Sequence, residues 1–152
     1  MRIFFDTEFI EDGKTIDLIS IGAVREDGRE FYAENAECDR SRASAWVREH
    51  VFPRLSSGQS LCSRQRIASS FVQFAGEKPE FWAYYADYDW VALCQLYGTM
   101  MDLPRGWPMF CMDLKQLCVS KGDPRLPKPT VEHNALVDAR WCREMWERLR
   151  GP

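Results

Sequence analysis

The sequence lacks a long apolar run, a CxxC pair and enough histidines for a structural metal site. Without an apolar run of transmembrane length, we expect no membrane-spanning helix. The start Met-Arg-Ile-Phe-Phe-Asp has no small-residue cleavage site of a signal peptide, so we expect a cytoplasmic protein with no membrane partner. The six cysteines are scattered, and only His50 and His133 could join them as ligands. They are interpreted as free thiols in a reducing compartment.

The chain also lacks an excess of positive charge, because it has 20 basic and 23 acidic residues and a net charge of −3. The molecule as a whole therefore does not attract polyanions. The charge is uneven, however, since residues 40–66 contain six arginines and a single acid, Glu49. This segment would suit a nucleic-acid strand beside an acidic metal centre, although a solvated pair of arginine-rich helices explains the charge at least as well.

A strand near the start of the chain carries two carboxylates. Residues 2–10 are mostly large and apolar, but Asp6 and Glu8 interrupt them. Side chains alternate along a strand, so these two carboxylates share one face and Thr7 lies on the other. Neighbouring carboxylates in a core repel each other unless a cation lies between them, and hard oxygen ligands suit Mg²⁺ or Mn²⁺. The alternative is that Glu8 lies beyond the strand and is solvated.

The remaining pattern predicts an α/β fold. Asp-Gly turn signals favour an antiparallel meander of three strands, at 2–10, 16–24 and 29–33. Further strands are predicted at 80–85 and 109–112, and helices at 44–51, 64–74, 89–97, 113–119 and 134–150. This order fits a ribonuclease H-like mixed sheet of about five strands, the first three antiparallel, flanked by helices. The length suits one core, so we expect residues 1–152 to form a single domain.

Two further aspartates lie on apolar helix faces. Asp138 is in line with Cys142 and Met145 at helical spacing, and Asp89 is in line with Leu93. An aspartate on an apolar face needs a partner, and neither face contains a lysine or an arginine. A cation shared with the two strand carboxylates would satisfy both aspartates.

Three further residues are assigned a role from their positions in the sequence. Asp87 lies just before its predicted helix and is assigned to N-capping rather than to the site. His133 precedes Asp138 by five residues, where its imidazole could serve a metal-bound water, although a lone histidine is more often structural. His50 has no comparable neighbours in the sequence and is interpreted as a surface residue.

Three segments resemble the ordered motifs of the DEDDh (DnaQ-like) 3′–5′ exonuclease superfamily. Residues 5–8 (Phe-Asp-Thr-Glu) resemble the first motif, residues 88–93 (Tyr-Asp-Trp-Val-Ala-Leu) the second, and residues 133–138 (His-Asn-Ala-Leu-Val-Asp) the third in its histidine form. The match spans nearly the whole chain, and residues 88–98 most resemble a small family of bacterial and phage 3′–5′ exoribonucleases. One departure is the stretch Tyr84-Tyr85-Ala86-Asp87, because many members carry His-Asn before the aspartate of the second motif.

This resemblance implies hydrolysis of phosphodiester bonds by a two-metal mechanism. Asp6, Glu8 and Asp138 would hold one Mg²⁺ or Mn²⁺ ion, with Asp6 bridging to a second. Asp89 would bind directly or through water, and His133 would take a proton from the attacking water. All five residues are therefore candidate catalytic residues.

The resemblance also implies RNA with a free 3′ end as the substrate, with single-stranded DNA as a second class, and a homodimer. The candidate substrate-binding residues are Phe9, Glu8 and His133. Phe9 would stack on a terminal base, although a core phenylalanine is an equal alternative. Three other functions remain open: hydrolysis of dinucleotides or other small phosphodiesters, a non-catalytic nucleic-acid-binding module, and an interaction module whose aspartates only cap helices.

Overall fold

A six-stranded mixed sheet forms the centre of the molecule. The computed structural model describes residues 1–129 and 131–151. The strands are β1 (Arg2–Glu11), β2 (Ile16–Arg25), β3 (Glu30–Asn35), β4 (Leu61–Cys62), β5 (Glu80–Ala83) and β6 (Met112–Asp113). Their order across the sheet is β4-β3-β2-β1-β5-β6. The first three strands are antiparallel neighbours, whereas β5 runs parallel to β1 and β6 parallel to β5. The predicted α/β class and antiparallel meander are confirmed.

Five helices accompany the sheet. They are α1 (Ala45–His50), α2 (Arg64–Ala75), α3 (Asp87–Gln95), α4 (Leu114–Ser120) and α5 (Ala135–Arg150). Short 3₁₀ turns occur at Arg40–Arg42, Phe52–Arg54 and Met100–Asp102. Within the described ranges, no helix combines the length and the apolar character needed to cross a bilayer.

The structure differs from the prediction at both outer edges of the sheet. β4 lies where no strand was predicted, and it forms because the amide of Glu34 donates to the carbonyl of Ser60 and that of Ala36 to Cys62. A strand of two residues has too few positions to show an alternating pattern. The strand predicted at 109–112 is wrong in its bounds, since β6 begins at Met112 and pairs with the end of β5.

Side chains of β1 alternate between two apolar layers. Phe4 packs against Trp146 of α5, with ring centroids 5.3 Å apart. Its neighbour Phe5 faces the opposite layer and packs against Phe81, in the cluster that also contains Phe71 of α2. Because of this alternation, the first half of β1 is buried on both faces. The polar residues 6–8 follow directly after these apolar residues.

Gly22 allows α5 to lie directly on the sheet. Gly22 pairs with Asp6 across β1 and β2. A Cβ atom at this position would lie 2.2 Å from the backbone nitrogen of Leu136, in the first turn of α5. Only glycine permits this approach, which brings the N-terminus of α5 next to the carboxylate of Asp6.

Candidate active site

Three carboxylates converge at the ends of β1 and α5. Asp6, Glu8 and Asp138 each offer an oxygen, and these oxygens lie within 4.8 Å of one another. Asp6 and Glu8 are two residues apart in β1 and so project from one face, as the strand period predicts. Asp138 lies in the first turn of α5. Glu8 pairs with Ser20 and is only 8% exposed, so the alternative of a solvated Glu8 beyond the strand is wrong.

The chain gives this cluster little compensating charge. Burial removes water from the Glu8 carboxylate, and the repulsion of Asp138 and Asp89 adds to that effect, so the pKa of Glu8 rises to about 8 although Arg54 opposes the shift. Burial likewise raises the pKa of Asp6 well above its usual range, with Asp89 the largest of the repelling charges. Such carboxylates are stable in the ionised form only beside a cation.

Asp138 is fixed by the cap of its own helix. The backbone N–H of Asn134 donates to its Oδ2 at 3.1 Å, while the Asn134 side chain accepts from the N–H of Val137 at 3.2 Å. The Asn134 amide also donates to the carbonyl oxygen of Arg54 at 2.9 Å. Burial still raises the pKa of Asp138 to about 6, although the backbone N–H groups of Asn134 and His133 favour the carboxylate. The start of α5 is thereby tied both to the site and to the Phe52–Arg54 turn.

Asp89 approaches the cluster from α3. Its Oδ1 accepts from the backbone N–H of Thr7 at 2.8 Å and from the Thr7 hydroxyl at 2.5 Å. Burial raises the pKa of Asp89 to about 6, even though both Thr7 donors lower it. Asp89 contributes to the raised pKa values of Asp6 and Glu8 but lies outside the group of three close oxygens. Its role as a direct or water-mediated ligand stays a prediction.

The N-cap assignment of Asp87 is wrong. Helix α3 begins at Asp87 itself, and Ala86 precedes it as a cap residue without a side-chain hydrogen bond. The Ala86 N–H donates instead to Oδ2 of Asp113 at 2.9 Å, and Oδ1 of Asp113 caps α4. Asp87 is exposed in the first turn of its helix, and no side chain of the described residues caps the first N–H groups of α3.

His133 lies directly before the cap residue of α5. Its backbone has a φ of 67°, an uncommon conformation for a side chain of this size. The imidazole is 33% exposed, and its Nε2 lies 3.8 Å from the Glu132 carboxylate. Partial burial lowers the pKa of His133; Glu132 opposes that shift, and Arg54 and His50 reinforce it. The ring is therefore accessible to solvent and favours the neutral form.

An aromatic group missed by sequence reasoning surrounds His133. The edge of its ring meets Trp46 at a centroid distance of 4.7 Å, and Trp46 stacks on His50 at 4.8 Å. His50 is half-buried and its ring lies 6.3 Å from that of His133, so the expectation that His50 has no comparable neighbours is wrong. The i, i+4 spacing of Trp46 and His50 in α1 could have indicated their pairing, but not the contact with His133.

The site opens into a cleft of about 960 Å³. The four carboxylates and His133 lie in it, together with Trp46. Phe9 also lines the cleft, half-buried, and stacks on Tyr88 with ring centroids 5.6 Å apart and planes 9° from parallel. An aromatic pair facing a cleft is suited to contact a base, so the predicted role of Phe9 stays open to test.

The donor set fits a divalent cation. All three close ligands are carboxylate oxygens, the type preferred by Mg²⁺ and Mn²⁺. The raised pKa values indicate repulsion that a cation would relieve. Within the part of the chain that the structure describes, no sulfur or imidazole joins this group of oxygens.

Comparison with known proteins identifies the family of this chain. The family model for the 3′–5′ exoribonuclease Rv2179c-like domain matches residues 1–149. Two curated proteins, the 3′–5′ exoribonucleases Rv2179c and MT2234.1 from Mycobacterium tuberculosis strains H37Rv and CDC 1551, are each 51% identical over 147 residues. Each match covers 92% of this chain and 88% of the relative. The chain therefore belongs to the Rv2179c-like 3′–5′ exoribonuclease family.

Proposed function

We propose that this protein is a metal-dependent 3′–5′ exoribonuclease of the DEDDh type. The observation that carries the proposal is the convergence of Asp6, Glu8 and Asp138 within 4.8 Å, in a cleft that also contains Asp89 and His133. The names of the two curated relatives support RNA as the substrate. We also propose that residues 1–152 form one domain.

In this proposal the carboxylates hold charge and the histidine handles a proton. Asp6, Glu8 and Asp138 would hold one Mg²⁺ or Mn²⁺ ion, and Asp6 and Asp89 would help to hold a second. Such ions, when bound, activate water and stabilise charge on the attacked phosphate. The imidazole of His133, kept neutral by its lowered pKa, accepts a proton from the attacking water. The side chain of His133 is 33% exposed, which gives water access to the ring.

The substrate is proposed to be an RNA strand with a free 3′ end. The Phe9–Tyr88 stack offers a flat face for the terminal base. Single-stranded DNA is a second substrate class, because cations held by the carboxylates would act on the phosphate, which RNA and DNA share. All six cysteines are unpaired, which supports a reducing, cytoplasmic compartment. We further propose a homodimer, on the basis of the family resemblance.

A test is incubation of 5′-labelled RNA and DNA strands of one sequence with Mg²⁺ or Mn²⁺, followed by electrophoresis. We expect stepwise shortening of RNA from the 3′ end, no shortening in chelator, and none with Asp6→Asn. A strand with a 3′-terminal phosphate serves as the substrate control.

Other outcomes separate the alternatives. Cleavage of dinucleotides alone would favour a hydrolase of small phosphodiesters. Strand binding without cleavage would favour a nucleic-acid-binding module. Calorimetry that detects no divalent ion bound to the protein would favour the interaction module and contradict the proposed metal site.

A further inference from the structure

An aromatic surface lines the cleft beside the carboxylates. Tyr84 contacts Tyr85 with ring centroids 4.5 Å apart, and on its other side it meets Trp141 of α5 at 5.0 Å. All three residues line the same cleft as Asp6 and Asp138. We refer to Tyr84, Tyr85 and Trp141 as the aromatic wall.

Tyr85 adopts a backbone conformation that tyrosine rarely takes. Its φ is 57°, in the left-handed region, while the residue is 61% exposed and buries little apolar surface in return. The next residue, Ala86, is held by the hydrogen bond from its N–H to Asp113, which also caps α4. A strained residue that the surrounding structure holds in place, with its side chain in a cleft, indicates a functional constraint.

The segment 123–129 completes this side of the cleft with positive charge. The Trp141 indole N–H donates to the carbonyl oxygen of Pro127 at 2.7 Å, which fixes the segment against the aromatic wall. Lys115 and Arg125 line the cleft here, whereas Lys128 is paired at 3.0 Å with Glu132, whose carboxylate lies 3.8 Å from Nε2 of His133. Lys115 is held by an ion pair of 2.6 Å with Asp123 at the start of the segment. Aromatic faces beside cations are the elements from which proteins build binding sites for single strands.

The sheet order places this surface away from His133. β5, β6 and α4 lie on one side of β1, whereas β2 lies on the other, and α1 packs against residues of β1 and β2. Tyr85 follows β5 and Lys115 belongs to α4, while His133 contacts Trp46 of α1. An RNA strand whose last phosphodiester lies at the carboxylates can therefore extend toward β5 and α4.

We propose that the aromatic wall binds the base immediately upstream of the scissile phosphodiester, with Tyr85 as its stacking residue. This inference rests on the proposed exoribonuclease function and adds a specificity-determining residue to it. The terminal base lies against Phe9 and Tyr88, and the penultimate base lies against Tyr85. The cations of Lys115 and Arg125 face the phosphates farther upstream.

The test compares Tyr85→Gly with wild type on two RNA strands. Both strands are about ten nucleotides long, enough to cover a site of the usual size, and one lacks the base at the penultimate position. Glycine accepts the left-handed backbone without strain, so the variant removes the ring without lowering the melting temperature. On the intact strand, Tyr85→Gly should raise KM roughly tenfold with little change in kcat, the size of one lost stack. On the strand without that base, variant and wild type should coincide.

Three further measurements complete the design. Tyr85→Phe keeps the ring and should restore the wild-type KM. Phe110→Ala removes a ring that is 62% exposed and lies outside the cleft lining, and it should leave KM unchanged. In equilibrium binding to the His133→Ala protein, adding Tyr85→Gly should raise the Kd for the intact strand roughly tenfold. The same addition should leave the Kd for the strand without the penultimate base unchanged. These variants separate a stacking role from a general effect of losing an exposed aromatic side chain.

The possible failures are distinguishable. If wild type shortens the intact strand but Tyr85→Gly has equal effects on both strands, or none, the stacking role is overturned and the proposed function stands. A lower melting temperature with equal losses on both strands would mark Tyr85 as structural. If wild type neither binds nor shortens RNA, the proposed function itself is wrong, and the inference falls with it.

Discussion

The stability of the metal-free protein should fall as pH rises. Burial and mutual repulsion raise the pKa values of Asp89 and Asp138 to about 6 and of Glu8 to about 8, and they raise that of Asp6 as well. The folded protein therefore binds more protons than the unfolded chain between about pH 4 and pH 8, and the free energy of unfolding decreases across this interval. His133 acts in the opposite direction, because its lowered pKa adds stability as pH rises toward about 6.5, and the gain is complete above that pH.

The expected effect is large enough to measure. For Asp89, a pKa raised from 3.8 to about 6 corresponds to roughly 3 kcal/mol against its ionised form. The carboxylates titrate as a coupled set, so the individual values do not simply add, and we expect a loss of several kcal/mol. For a chain of this size such a loss lowers the melting temperature by about 10 °C. Magnesium at about 100 times its Kd should return about 2.7 kcal/mol at the higher pH.

The assay is thermal unfolding followed by circular dichroism at about pH 5 and pH 8, with chelator or with magnesium. Asp138→Asn keeps an oxygen to accept the Asn134 N–H but removes one charge. It should be more stable than wild type at pH 8 in chelator and gain less from magnesium. Glu144→Gln, on the exposed face of α5 beside Arg148, is the control. If the melting temperature in chelator is constant or rises from pH 5 to pH 8, the mutual destabilisation inferred for the carboxylates is refuted.

Three other substitutions test single contacts. His133→Ala should lower turnover by about 10²–10⁴-fold while magnesium and RNA binding persist. The acidic limb of the pH–rate profile, expected below about pH 6.5, should also disappear. An unchanged limb would mean that another group activates the water. Asp89→Asn should abolish RNA shortening in the gel assay, whereas Asp87→Ala should change neither activity nor melting temperature appreciably, because Asp87 is exposed and does not cap α3; the reverse result would exchange their roles. Gly22→Ala should reduce the free energy of unfolding in urea by about 3 kcal/mol or more, since its Cβ meets the backbone of Leu136; a loss below 1 kcal/mol would show that α5 can move away at little cost.

The convergence of the carboxylates could be predicted because it depends on local periods. Asp6 and Glu8 share a face through the two-residue strand repeat, and Asp138 shares a face with Cys142 through the helix repeat. Both patterns are visible in a short window of sequence. The order of strands and helices then limits how the two elements can meet.

Features that depend on distant contacts could not be predicted in this way. Asp87 resembles a cap residue in sequence, but Asp113 binds the start of the α3 turn instead. The contact of Trp46 with His133 depends on how α1 packs beside the start of α5. The left-handed backbone of Tyr85 has no local signal, since tyrosine usually avoids it.

The two outermost strands of the sheet, β4 and β6, are each only two residues long. An exposed strand edge is where a second chain can add by backbone hydrogen bonds, in β-augmentation or in aggregation. A strand of two residues presents few free backbone donors and acceptors, so β4 and β6 themselves are poorly suited to pairing with a strand from another molecule. β4 covers β3 only at Glu34 and Asn35, however, so the outer edge of residues 30–33 has no strand partner within the described part of the chain. We therefore expect any continuous intermolecular sheet of the proposed homodimer to form along this part of β3.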